Sequence, residues 1–141
     1  MKRIALYAFV ATAFLACARA EEPSGNNILM VVTSHGQIDA DHPTGLWLEE
    51  FATPYEMFLA AGHSVTVASP KGGVTPVDPR SEGEKERYAA TTWDALQSTV
   101  LLGELDLSGF DAVFFPGGHG TMFDLPEDGS VRSEERRVGK V

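Results

Sequence analysis

Two stretches of this chain carry the residue types that proton transfer and carbonyl addition require. Pro116-Gly117-Gly118-His119-Gly120 sets bare backbone N–H groups beside an imidazole. Glycines there allow unusual φ values and close approach of main-chain donors to a ligand, which suits stabilisation of a developing oxyanion. Upstream, the adjacent carboxylates Glu49 and Glu50 lie among Trp47, Leu48 and Phe51. Neighbouring helical residues point about 100° apart, so one of the two can turn inward while the other stays in water. A carboxylic acid buried at such a place has a raised pKa and can shuttle protons near neutrality. The blander alternative is a pair of solvated carboxylates and a glycine-rich turn that is only a turn. The glycine stretch has neither G-x-G-x-x-G nor Walker spacing, which disfavours nucleotide binding.

The remaining reactive side chains are weaker candidates. His35, Asp39, Asp41 and His42 are rich in ligand atoms, but their spacing fits no standard metal site, so they are read as a solvated loop and no metal is assigned. His63 follows the helix stop at Gly62 and is expected on the surface. Ser34 and Thr121 lie near the expected ligand edge without an identifiable base. Cys17 is the single cysteine, so no internal disulfide can form.

Elements that would position these residues alternate along the chain. Asn27–Thr33 is a continuous apolar run, as expected of a parallel strand buried on both faces. Residues 35–45 read as loop. Leu46–Ala61 places Leu48, Phe51, Tyr55, Phe58 and Leu59 at near-helical spacing and stops at Gly62, with Pro54 inside as a kink or a fresh start. Ser64–Ser69 is a second strand, and Pro70–Arg80, with three prolines and two glycines, is an excursion. Residues 82–100 begin acidic and turn helical, with Trp93, Leu96 and Val100 on one face. Ala112–Pro116 is a third strand running into the glycine stretch. Buried strands alternating with helices imply right-handed crossovers on a parallel sheet, a flavodoxin-like three-layer α/β sandwich. Ligands of such sheets bind beyond the carboxyl ends of the strands, where Ser34-His35-Gly36, Pro70-Lys71-Gly72-Gly73 and Pro116–Gly120 all arrive.

The chain has 141 residues, about one domain's worth, and 43% of them are hydrophobic. Its ends differ from its middle. Met1–Ala20 has a basic start at Lys2 and Arg3, an apolar run Ile4–Cys17 of 14 residues, and a small-x-small site at Ala18-Arg19-Ala20. That is the pattern of a signal peptide, and it is too short for a membrane span, which takes about 20 residues. Export to the periplasm or medium is the expectation, with lipoprotein anchoring at Cys17 the less favoured variant. Three of the eleven basic residues fall in that segment, leaving eight against twenty acidic ones, so the body repels nucleic acid and anionic lipid. Residues 131–141 hold Arg132, Arg136, Arg137 and Lys140 without periodicity and read as an atypical, foreign tail after a domain at 21–130.

Three segments together closely resemble the ThiJ/PfpI family of the class I glutamine amidotransferase-like superfamily: Thr44–Tyr55 (TGLWLEEFATPY), Val67–Gly73 (VASPKGG) and Phe110–Gly120 (FDAVFFPGGHG). The branch most resembled holds glyoxalase III and related stress chaperones, and the match runs from about Asn27 to Asp128. The resemblance implies a flavodoxin-like fold and a nucleophilic Cys on a strained elbow, followed by His. Carried over by position, Glu50 matches the family's buried glutamate, Gly118 the glycine whose N–H helps form the oxyanion hole, and Gly117 and His119 the residues shaping that loop. It further implies a small aldehyde substrate such as methylglyoxal, converted to D-lactate by thiolate attack and a glutamate-assisted proton shift, with no cofactor and with a homodimer as one option for assembly.

The family's Cys-His pair follows the glycine loop at some distance and is not present in these 141 residues, and no residue here replaces the Cys. The expectation is an N-terminal portion of an exported enzyme, inactive by itself and exposing an apolar sheet edge. The alternatives are a non-catalytic chaperone-like or binding protein of the same fold, and a glutamine amidotransferase-like domain.

Overall fold

The computed structural model describes residues 25–132. The signal segment Met1–Ala20, with Cys17, and all but the first two residues of the 131–141 tail lie outside them.

β1 (Asn27–Val31) is the centre of a parallel sheet because it is apolar on both sides: Ile28 to Val31 are all buried. It pairs with β4 (Ser64–Ser69) through Asn27–Ser64 to Val31–Ala68, and with the short β6 (Ala112–Phe114) on its other side. β5 (Val100–Leu101) adds a fourth strand beside β4, giving the order β5-β4-β1-β6. The parallel three-layer architecture expected from the strand–helix alternation is what the chain adopts. One layer packs α1 (Leu48–Ala60) and α3 (Ala90–Gln97) on the sheet through Met30, Val32, Leu48, Phe51, Ala52 and Leu96. On the other face Leu29, Val31, Ala68, Leu102, Leu125 and Val131 form a smaller cluster.

Four local expectations are corrected. Residues 35–45 are not simple loop: β2 (Gln37–Asp39) and β3 (His42–Pro43) form an exposed antiparallel hairpin, closed by the Thr44 N–H donating to the Gly36 carbonyl at 3.0 Å. Val100 does not continue a helix face with Trp93 and Leu96. Thr99 exchanges two backbone hydrogen bonds of 2.8 Å with Gly73 and joins its hydroxyl to Ser69, which pulls the chain out of α3 and into β5. Of the two expectations for Pro54, the fresh start is excluded, since α1 runs through it; lacking an N–H, Pro54 leaves the carbonyl of Glu50 without the usual bond from four residues on. His63 is half-buried rather than on the surface, its Nδ1 accepting from the Asn26 N–H at 3.1 Å.

The excursion after β4 is anchored by a buried carboxylate. Asp78 is fully buried and accepts from the Arg80 backbone N–H (3.0 Å), from Arg80 Nε (2.9 Å) and Nη2 (2.7 Å), and from Thr44 Oγ1 (3.1 Å). The Arg80 hydrogen bonds hold its carboxyl at about 2, below the usual carboxylate range. Asp78 thereby caps α2 (Pro79–Glu82), with Pro79 at the helix start where its missing N–H costs nothing.

Candidate active site

The glycine stretch leaves β6 at the carboxyl edge of the sheet and crosses the start of α1. Trp47 donates its N–H to the Gly117 carbonyl at 3.1 Å, and Gly117 returns its own N–H to Glu50 Oε2 at 2.9 Å. Loop and helix are thus stitched together at adjacent points. Close contact requires glycine at position 118, while a side chain at position 117 would displace the Glu50 carboxylate. A Cβ on Gly118, whose φ is +124°, would meet the Gly45 carbonyl oxygen at 2.4 Å, and one on Gly117 would meet Glu50 Oε2 at 2.4 Å. The Gly118 N–H finds no acceptor among the described residues and remains available to a ligand.

Of the two adjacent carboxylates, Glu50 turns to the loop and Glu49 does not line this cleft. One expectation is corrected: Glu50 is exposed, not buried, because it lines an open cleft at the surface. Trp47, Glu50, Gly118, His119 and Met122 line an open cleft of about 240 Å³. A second hollow of about 300 Å³ continues past His119 to Arg80, Pro79, Pro43, His42, Asp41 and Ile38.

Helix position is set from outside the helix. The first N–H of α1, on Leu48, donates to Ser81 Oγ at 3.0 Å, and that hydroxyl donates in turn to the Asp78 carbonyl at 2.9 Å. On the far side of the loop, α4 (Thr121–Asp124) is tied to the end of the β1 segment: Asp124 accepts from Thr33 Oγ1 at 2.9 Å and from the Ser34 N–H at 2.7 Å. The His35 ring stacks on Phe123 with centroids 4.6 Å apart. Ser34 Oγ accepts from the Lys71 N–H and Thr121 Oγ1 donates to the Gly118 carbonyl, so both hydroxyls have structural partners.

Among the described residues no three His, Cys, Asp or Glu side chains gather to hold a metal ion. His35 Nε2 bonds the Gln37 carbonyl, while His42 Nδ1 meets Asp39 Oδ1 at 2.6 Å and, as the largest cause, lowers the Asp39 pKa.

Sequence reasoning missed Arg80. Its guanidinium lies 5.7 Å from the Trp47 ring centroid and its Nη2 is 3.4 Å from His119 Nδ1, so it joins both walls of the cleft to buried Asp78. The available signal was Asp78-Pro79, a helix-start pair that fixes where the next residue points.

No family model matches the chain. It is 28% identical over 126 residues to the glutathione-independent glyoxalase hsp3101 of Schizosaccharomyces pombe, covering 82% of this chain and 52% of that protein. With glyoxalase 3 of Candida albicans it shares 28% over 111 residues, covering 70% of this chain and 47% of that one. A solved crystal structure of a chain 53% identical to this one superposes with a TM-score of 0.71 over 75% of this chain and 48% of the other. These matches support the resemblance to the ThiJ/PfpI family. The chain spans about half the length of the curated ThiJ/PfpI relatives it matches. The ThiJ/PfpI fold accounts for the meeting of loop and helix: β6 and α1 both present their loop-proximal ends at the sheet's carboxyl edge, where Gly117 and Glu50 come within hydrogen-bond distance.

Proposed function

We propose that residues 27–128 are the proton-handling half of a cofactor-independent glyoxalase III-like site acting on a small 2-oxoaldehyde such as methylglyoxal. In this reading a thiolate adds to the aldehyde carbon to give a hemithioacetal. Glu50 takes the proton from that carbon and returns it to the neighbouring one, while the backbone N–H of Gly118 stabilises the developing enediolate. Water then cleaves the resulting thioester, releasing lactate and regenerating the thiol, so that one water is consumed and no redox partner is needed. The thiolate is the species with the required reactivity. Cys17 is the single cysteine of these 141 residues and belongs to the proposed signal segment, so residues 27–128 supply the acid–base and oxyanion groups of this site but not its thiol, and the 141-residue chain is proposed to be inactive. The protein is proposed to be exported.

The observation that carries this reading is the 2.9 Å hydrogen bond from the Gly117 N–H to Glu50 Oε2. It joins the two sequence features able to move a proton and stabilise an oxyanion. Lactate formation from methylglyoxal, without added glutathione, is the test. The 141-residue chain is expected to form none. A form extended to its relatives' length is expected to turn over, and Glu50→Gln in that form to lose about 10²–10⁴-fold in kcat. Lactate from the 141-residue chain, or an unimpaired Glu50→Gln, would overturn it.

A further inference from the structure

Arg80 lies outside the residues to which the proposed reaction assigns a role, yet it contacts both walls of the cleft. Its guanidinium is fixed from three directions: Nε and Nη2 donate to fully buried Asp78, the charge sits over Trp47, and Nη2 reaches His119 Nδ1 at 3.4 Å. An arginine side chain has donors only and does not lose its proton, so the nitrogen it meets has to be the acceptor of the imidazole. A neutral imidazole with Nδ1 accepting carries its hydrogen on Nε2.

We propose that Arg80 is a positioning residue that holds His119 as the neutral Nε2–H tautomer, so that His119 presents a hydrogen-bond donor to the cleft. The lining then offers two donors, the Gly118 N–H and His119 Nε2–H, opposite one carboxylate, Glu50. That set fits a substrate with two adjacent carbonyl oxygens and a C–H between catalytic base and donors. Two adjacent oxygens give each donor its own acceptor, whereas a single carbonyl oxygen would have to share its two lone pairs between both. His119 is then a specificity residue for the 1,2-dicarbonyl unit. The substrate part of this inference rests on the function proposed above; the tautomer does not.

Long-range proton–nitrogen correlation spectra of the His119 ring, taken on the 141-residue chain at alkaline pH and assigned with His119→Gln, read the tautomer directly. The expected spectrum has an unprotonated Nδ1 and a protonated Nε2. In Arg80→Met the tautomer ratio is expected to fall about fivefold, the scale of losing one charge-assisted hydrogen bond at a partly solvated site. Arg80→Lys, which keeps a cationic donor, is expected to recover part of that bias. A native ring protonated on Nδ1, or a ratio unmoved by Arg80→Met in a folded chain, overturns the proposal. Should Arg80→Met not fold, the native spectrum decides. Because this readout needs no turnover, it can stand while the lactate assay fails, and the reverse.

Discussion

The two faces of the sheet are finished to different degrees. On the α1 side, Phe51, Leu48, Leu46, Met30, Val32 and Leu96 are all essentially inaccessible and close into one cluster. On the β6 side, the strand is three residues long, paired among the described residues on one edge only, and followed by Phe115, Met122 and Phe123 at 42%, 63% and 44% exposure. A groove of about 540 Å³ runs there between Phe115, Met122, Leu125 and Val131. The site lies on the seam. Its carboxylate comes from the closed side and its glycine loop from the open one, so the rigid half aims the base while the other half retains room for a ligand.

Truncation should separate the two sides most sharply. Phe51→Ala removes a fully buried ring and is expected to cost about 3–5 kcal/mol in urea denaturation, whereas Met122→Ala on the open side should stay within about 0.5 kcal/mol. Equal losses would erase the contrast. Next in size is Asp78→Ala, expected to cost about 2–4 kcal/mol, since it strips the bonded partner from Thr44 and Arg80 in a buried place. The same carboxylate sets an acid limit. Its folded pKa, about 2, lies below the unfolded value of roughly 3.9, so its contribution is complete above pH 4 and disappears as the pH falls through about 2. An acid titration of the native chain against Asp78→Ala should show that difference shrinking in this window and nowhere above it. Gly118→Ala comes next, at about 1–3 kcal/mol, because a side chain at φ +124° is strained and collides with the Gly45 carbonyl. A variant melting like the native chain would show that the loop yields rather than holds.

Much of the closed side was legible in the sequence and much of the seam was not. β1 and β4 announce themselves as uninterrupted apolar runs, and α1 by its spacing and by Gly62, because burial on both faces or on one stripe leaves a period to read. The hairpin at 37–43 has two- and three-residue strands, all exposed, and so carries no alternation. Val100 fits a helical stripe with Trp93 and Leu96; what removes it is Thr99 bonding to Gly73, a contact 26 residues away that no local period encodes. At the site, residue types alone narrowed the carboxylate to Glu49 or Glu50, and the family resemblance selected Glu50, which is the one reaching Gly117. Arg80 stayed hidden because its partner Asp78 is recognisable as important only once it is seen to be buried.

The hydroxyl of Ser81 at the head of α1 has a wider meaning. A helix usually begins where its own preceding residue allows, but this one is started by an atom contributed 33 positions later in the chain. The reach of the carboxylate two residues on, still in the helix's first turn, is therefore calibrated remotely: lengthening or shortening the stretch between Gly73 and Ser81 would slide the base relative to its target without altering a single residue that touches the ligand.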